Sequence, residues 1–205
     1  MTDSAAATEL RAFRNALRSR LIAAREALPA DIHAQLSRKL ERHLGELLDA
    51  LNPAMLAFCW PFRGEFDART LVSGRLPGGL RACLPVVMDN DSPLEFREWT
   101  PHSEMIEDRY GIHIPARGEA LRPDTILMPL NGFDEAGYRL GYGGGYFDRS
   151  LAAISPRPRA IGVGFELARI DSIRPQAHDL PMDFIVTEAG IHERARMTGF
   201  PLSRE

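Results

Sequence analysis

Two short runs, "DTILMPL" (124–130) and "RAIGVGF" (159–165), constrain the fold most, because they are apolar at almost every position and bounded by turn residues. A strand that is apolar on both sides of its pleat has to be covered on both faces, the habit of parallel strands in α/β sheets. "AMLAFCW", "LRACLPVV", "LEFREW" and "DFIVTE" read as further strands, the last closing the sheet, while "DARTLVSG", from Asp67, and "GYFDRSLAAI" read as helices. Ahead of the first strand the spacing predicts two helices. One places Leu10, Phe13, Leu17, Leu21 and Leu28 on one side and stops near Pro29. The other starts after Asp31, turns Ile32, Leu36, Leu40, Leu44, Leu47 and Leu51 inward, and breaks at Asn52 and Pro53. Residues 1–7 are expected as a loose tail, and segments 100–123 and 166–182 as loops that wall a site. A chain of 205 residues with this alternation and no internal repeat suits one α/β domain over 1–205.

Composition narrows the function. A formal charge of −3 argues against nucleic-acid binding, and no apolar window approaches the ~18 residues of a membrane span. The expectation is a soluble cytoplasmic protein without a membrane partner, monomeric or weakly self-associating. Cys59 and Cys83 both lie in apolar runs, which points to reduced thiols rather than a disulfide or a zinc site. Lys39 is the chain's one lysine. Any anion the protein handles therefore falls to arginine or to backbone N–H groups.

"RLGYGGGYFDRSL" (139–151) has glycine at four of the five positions 141–145 and runs straight into a helical pattern. Such a loop is either a tight turn without a ligand or an anion nest, in which N–H groups freed of Cβ atoms converge beside a helix N-terminus. Known phosphate loops do not fit. A Walker loop needs Gly-Lys-Ser/Thr, and the Rossmann pattern needs glycine where Asp148 stands. His-Arg-Asp and Asp-Phe-Gly are absent, which excludes the kinase signature. What remains within ten residues is a cation, a nest, two aromatic faces and one carboxylate, the parts of a magnesium-nucleotide site with a flat co-substrate.

The longer run "MPLNGFDEAGYRLGYGGGYFDRSL" resembles the signature of the 5-formyltetrahydrofolate cyclo-ligase family. "RNALR" (14–18), with "LPADI" after it, is similar to that family's N-terminal basic motif, "WPFRGEFD" to its substrate segment, and "QAHDLPMDFIVTE" to its closing His-Asp segment. The resemblance covers residues from about 10 to 190. It implies a three-layer α/β/α sandwich resembling the sugar-phosphate isomerase/CoA-transferase-like fold. It also implies ATP- and Mg²⁺-dependent closure of 5-formyltetrahydrofolate to 5,10-methenyltetrahydrofolate, with ADP and phosphate released. Some members carry Lys at the position of Gly144 or Arg at that of Tyr142, and the N-terminal motif opens on Arg14 rather than the more usual Lys. Any phosphate-side charge those residues supply must come from elsewhere here.

Carried over residue by residue, the resemblance assigns ATP to Arg14, Arg18, Arg139, Leu140 and the loop Gly141, Tyr142, Gly143, Gly144, Gly145, continuing through Tyr146 and Phe147. Glu65, Arg139 and Tyr146 form the implied catalytic set. Folate is expected against Trp60, Glu65, Tyr142, the glycines 143–145 and Tyr146, with either tyrosine free to face folate or adenine. Asp148 is implied as a Mg²⁺ ligand, with capping of its own helix as the alternative, and Asp179 as a second Mg²⁺ ligand or a phosphate-side carboxylate. Phe133 stacks on a ligand or belongs to the core; Trp99 packs. On the first helix Arg11, Arg14, Arg18 and Arg25 share one face roughly 80° from the apolar stripe at ~100° per residue. The motif match singles out Arg14 and Arg18, leaving Arg11 and Arg25 as surface.

Two rivals use the same residues. One is another phosphate-ligand enzyme on this fold, a sugar-phosphate isomerase or CoA-transferase-like protein; the acetyltransferase pattern Arg-x-x-Gly-x-Gly fails because Tyr142 stands at its first glycine. The other is a non-catalytic folate- or nucleotide-binding module, which would be marked by lost carboxylates, whereas Glu65, Asp148 and Asp179 are present.

Overall fold

The computed structural model describes residues 2–194. In chain order it contains α1 (Thr2–Glu26), α2 (Ala30–Leu51), β1 (Met55–Ala57), α3 (Arg69–Ser73), β2 (Arg81–Val86), β3 (Glu95–Trp99), β4 (Met105–Glu107) and β5 (His113–Pro115). Then follow β6 (Thr125–Pro129), β7 (Gly132–Phe133), β8 (Arg139–Leu140), α4 (Tyr146–Ala153), β9 (Arg159–Val163), β10 (Phe184–Thr187) and β11 (Gly190–Glu193). Seven strands form one sheet in the order β11-β10-β9-β6-β1-β2-β3. The five central strands run parallel, and the edges β3 and β11 are antiparallel to their neighbours.

Alternation along each strand builds two cores. Leu56, Leu84, Leu127, Ile161 and Val186 face Leu40, Leu44 and Leu48 of α2 and Val72 of α3. Ala57, Cys83, Ile126, Met128, Ala160 and Ile185 face the opposite way, against Leu151 of α4 with Phe147 and Ile154 alongside. The three-layer α/β/α arrangement follows directly from strands apolar on both sides.

The topology also locates a crevice. From β1 the chain crosses through α3 to β2 on one side, whereas from β6 it crosses through α4 to β9 on the other. Neighbouring strands whose connections diverge leave a gap at their carboxyl ends, the usual ligand position of open α/β sheets. The segment after β1 carries Glu65; the segment after β6 carries Asn131 and the glycine run.

Several local expectations change. The stretch read as a loose tail is helical from Thr2, in keeping with the good helix formers Ala5, Ala6 and Ala7; residue 1 lies outside the described residues. Ile32 is 38 % exposed, since the fully buried residues of α2 begin only at Leu40. Segment 100–123 is not all loop, since β4 and β5 pair as a hairpin. β7 and β8 form another, and β11 extends the sheet beyond "DFIVTE". These additions are two to four residues long, too short to register as periodicity.

Candidate active site

Helix α1 sends three arginines, Arg14, Arg18 and Arg25, to the loops on this side of the fold. Arg14 donates Nη2 to both Asp179 Oδ2 (2.6 Å) and the Arg174 carbonyl (2.7 Å), and Nε to the Ile173 carbonyl. One turn on, Arg18 donates Nε to the Gly141 carbonyl at 2.6 Å. Two turns further, Arg25 is 5 % exposed and uses every guanidinium nitrogen. Nε reaches the Arg63 carbonyl, Nη1 reaches the Leu130 carbonyl and Asn131 Oδ1, and Nη2 reaches the Tyr142 hydroxyl. The same Nη2 lies 3.6 Å from Glu65 Oε1. The expectation that Arg25 is a surface residue is corrected here: it ties together the segments after β1 and β6 and the glycine run. Its spacing of seven from Arg18 on one face was the available signal, because the border of an apolar stripe is where a long cation can turn inward.

Arg63 and Arg174 both adopt left-handed backbone, at φ 49° and 54°. Each presents its carbonyl to an α1 arginine. Non-glycine residues held in that region cluster where surrounding contacts over-determine them, often at functional sites.

Glu65 is buried, and its carboxylate accepts from the Tyr142 hydroxyl at 2.7 Å and from the Phe62 N–H at 3.1 Å. Burial raises its pKa, although the tyrosine hydrogen bond, the Arg25 charge and the backbone N–H all favour the ionised form. Burial and the neighbouring carboxylate push the Tyr142 phenol up as well. Burial also raises the thiols next to the crevice and in the sheet: Cys59 strongly, with Glu65 adding to it, and Cys83 to about 12, so both stay protonated.

The glycine run forms an exposed turn at the head of α4. Gly143 and Gly145 take φ 99° and 67°, and Gly145 caps α4 with no side chain to occupy the first N–H groups. That leaves donors free at a helix N-terminus. A Cβ on Gly144 would sit 2.5 Å from the Tyr146 ring. Tyr146 turns its hydroxyl outward to Tyr110 (3.1 Å) and Arg109 (3.3 Å) on the β4–β5 connection. Leu140 and Phe133 are fully buried and belong to the core, while Phe147 packs partly against it. Trp60 lies beside the crevice, stacked on His113 and covered by Arg69. Trp99 packs edge-on against Phe58.

Asp148 and Asp179 are not placed as metal ligands. Asp148 accepts both Nη groups of Arg139 and the Leu180 N–H; Asp179 accepts from Arg14 and the Gln176 N–H. With a guanidinium on each carboxylate, a divalent cation meets positive charge where it needs oxygen. Among the described residues no three His, Cys, Asp or Glu side chains gather to hold a metal ion. These residues do not fit a protein-built magnesium site. Asp148 does not cap α4 either, since its oxygens face Arg139 and Leu180.

Taken together, the sheet, the crevice at its switch point and the arginine-lined glycine turn define an α/β protein that gathers guanidinium groups and free backbone donors beside a buried carboxylate. The sequence profile of the 5-formyltetrahydrofolate cyclo-ligase family matches residues 11–188, and the chain belongs to that family of ligases. It is 30 % identical over 139 residues to the 5-formyltetrahydrofolate cyclo-ligase of Escherichia coli, covering 64 % of this chain and 76 % of the relative. It is 24 % identical over 176 residues to that of Haemophilus influenzae, covering 82 % and 94 %. The fold superposes on the 5,10-methenyltetrahydrofolate synthetase of Aquifex aeolicus with a TM-score of 0.78 and 27 % identity, over 94 % of this chain and 97 % of that one. No described helix is long and apolar enough to cross a membrane.

Proposed function

We propose that the protein closes 5-formyltetrahydrofolate to 5,10-methenyltetrahydrofolate, with Mg-ATP as co-substrate. The observation that carries this reading is the Tyr142 bridge: the residue inside the glycine turn hydrogen-bonds the buried Glu65, so a nest suited to phosphate and a carboxylate suited to a polar ring share one side chain. Family membership and the fold support the same reaction.

The chemistry explains the need for both halves. Amide resonance makes an N-formyl carbon a poor electrophile, and its oxygen is a poor leaving group. Transfer of the γ-phosphoryl group to the formyl oxygen breaks the terminal P–O bond of ATP and releases ADP. N10 then attacks the activated carbon, inorganic phosphate departs with the oxygen, and the N10 proton is lost as the ring closes. No covalent enzyme intermediate is required, so the protein's part is positioning and charge stabilisation.

In this reading the N–H groups of residues 143–146 and the Arg18 guanidinium hold phosphate oxygens. Burial and the charge of Arg14 make Arg18 easier to deprotonate than a free arginine, and an incoming phosphate relieves both. Arg14 and Arg139 are kept in place by Asp179 and Asp148, and magnesium enters on the ATP phosphates. Glu65 takes the folate ring after Tyr142 releases it, with Trp60 as a wall; Tyr142 and Tyr146 offer ring faces to the bound ligands. Purified protein mixed with 5-formyltetrahydrofolate and Mg-ATP should show the rising near-ultraviolet absorbance of the methenyl product. No ATP-dependent rise would sink the reading.

A further inference from the structure

Three of the arginines around the glycine turn are neutralised: Arg14 by Asp179, Arg25 by Glu65 and Arg139 by Asp148. Two are not. Arg18 bonds Asn15 and the Gly141 carbonyl, Arg149 bonds the Asn90 carbonyl, and neither has a carboxylate partner among the described residues. These two stand on either side of the turn. A Cβ on Gly143 would lie 3.4 Å from the Arg18 guanidinium, and a Cβ on Gly145 only 2.8 Å from Arg149 Nη1.

We propose that Arg149 is the second phosphate-side cation of this site, closing with Arg18 on an ATP phosphate seated at the glycine turn. The proposal rests on the cyclo-ligase reading above and adds a residue to it. Position in the helix is the first reason. A long side chain in the first turn of a helix leans back toward the N-terminus, so Arg149 brings its charge to the free N–H groups of α4. The second is an unmet hydrogen bond. Among the described residues Arg149 Nε is buried and donates to nothing, and a buried charged donor without a partner calls for an acceptor that those residues do not supply.

Preorganisation is the third reason. Nη2 donates to the Asn90 carbonyl at 2.7 Å and the guanidinium lies 4.9 Å over the Tyr146 ring, so the group is held before a ligand arrives. Charge accounting completes the case. Tyr142 and Gly144 bring no cation to the turn, and Arg149, one helical turn later, restores one. An arginine so placed answers an anionic oxygen with a charge-assisted hydrogen bond.

The test is calorimetric binding of Mg-ATP alone and of 5-formyltetrahydrofolate alone to wild type, Arg149→Gln and Arg149→Lys, with thermal melts to establish that the variants fold. Arg149→Gln should weaken Mg-ATP binding about tenfold or more, flatten its salt dependence and leave folate binding unchanged, while Arg149→Lys recovers part of the loss. Mg-ATP affinity within about twofold of wild type in the glutamine variant overturns the proposal. A loss confined to folate also overturns it, because the anion would then be a folate carboxylate. Wild type that binds no Mg-ATP would instead remove the functional reading, and the proposal with it.

Discussion

The hydroxyl of Tyr142 donates a 2.7 Å hydrogen bond to Oε1 of Glu65 and accepts one from Nη2 of Arg25. A carboxylate already raised by burial is thereby partly restored to its charged form. If the folate step uses that charged form, Tyr142→Phe removes a stabilising donor and Glu65 will protonate at a higher pH. The acidic limb of kcat/KM for 5-formyltetrahydrofolate should then shift to higher pH in the variant. An unmoved limb would detach Glu65 from the tyrosine in the working enzyme.

Arg25 carries stability as well as order. Arg25→Met strands a buried carboxylate and leaves the carbonyls of Arg63 and Leu130 and the Asn131 amide oxygen without their donor. Breaking a buried pair from one side costs about 3–5 kcal/mol. At about 2–4 °C per kcal/mol for a domain of this size, the melting temperature should fall by roughly 10 °C. Arg11→Ala, on the exposed face of the same helix, should stay within about 0.5 kcal/mol of wild type. Thermal melts showing equal, small losses would mean that the pairing around Arg25 is not retained in solution.

The difference between Arg11 and Arg25 shows how far the residues could be read in advance. Continuous apolar strands gave away the covered sheet, because two-sided burial is a one-dimensional pattern. The glycine turn was equally visible, since left-handed backbone angles such as those of Gly143 and Gly145 are open to glycine and rarely to residues with a side chain. What stayed hidden was partner choice. The roles of Asp148 and Asp179 depend on which arginine reaches them across 9 and 165 positions of chain, and no local period encodes that. Asn131 follows β6 as one polar residue after an apolar run, and only the folded chain shows its amide oxygen on Arg25 and its Nδ2 buried without a partner among the described residues.

Asp179 makes a pH-dependent contribution of known sign. Burial raises its pKa, but hydrogen bonds from Arg14 and the Gln176 N–H, with the Arg14 charge, outweigh it and hold the carboxyl below its ordinary value. A depressed folded value means that this stability is fully present above the unfolded pKa of about 3.9 and disappears as pH falls through the folded value. Asp179→Asn should therefore melt about 5 °C below wild type near neutrality, from a charged hydrogen bond of about 1.5–3 kcal/mol. The gap should narrow in melts taken below about pH 3.9. A gap that stays constant into strong acid would show that Arg14 does not depress this carboxyl.

The pairing of Asp148 with Arg139 separates two roles that the sequence alone could not. Both Arg139 Nη groups rest on the carboxylate, at 3.0 and 3.2 Å, and the Leu180 N–H takes up one of its oxygens at 2.9 Å. A metal ligand and an arginine holder both lose function when the charge is removed, so a fall in rate decides nothing. Their magnesium dependence differs. If Asp148 holds Arg139, Asp148→Asn should lower kcat/KM for ATP about tenfold or more while the Mg²⁺ concentration giving half-maximal rate stays at the wild-type value. A metal ligand lost from the site would instead shift that concentration upward, and excess Mg²⁺ would recover much of the rate. Titrating Mg²⁺ at fixed ATP against wild type and variant distinguishes the two, and an upward shift with recovery would return Asp148 to the metal.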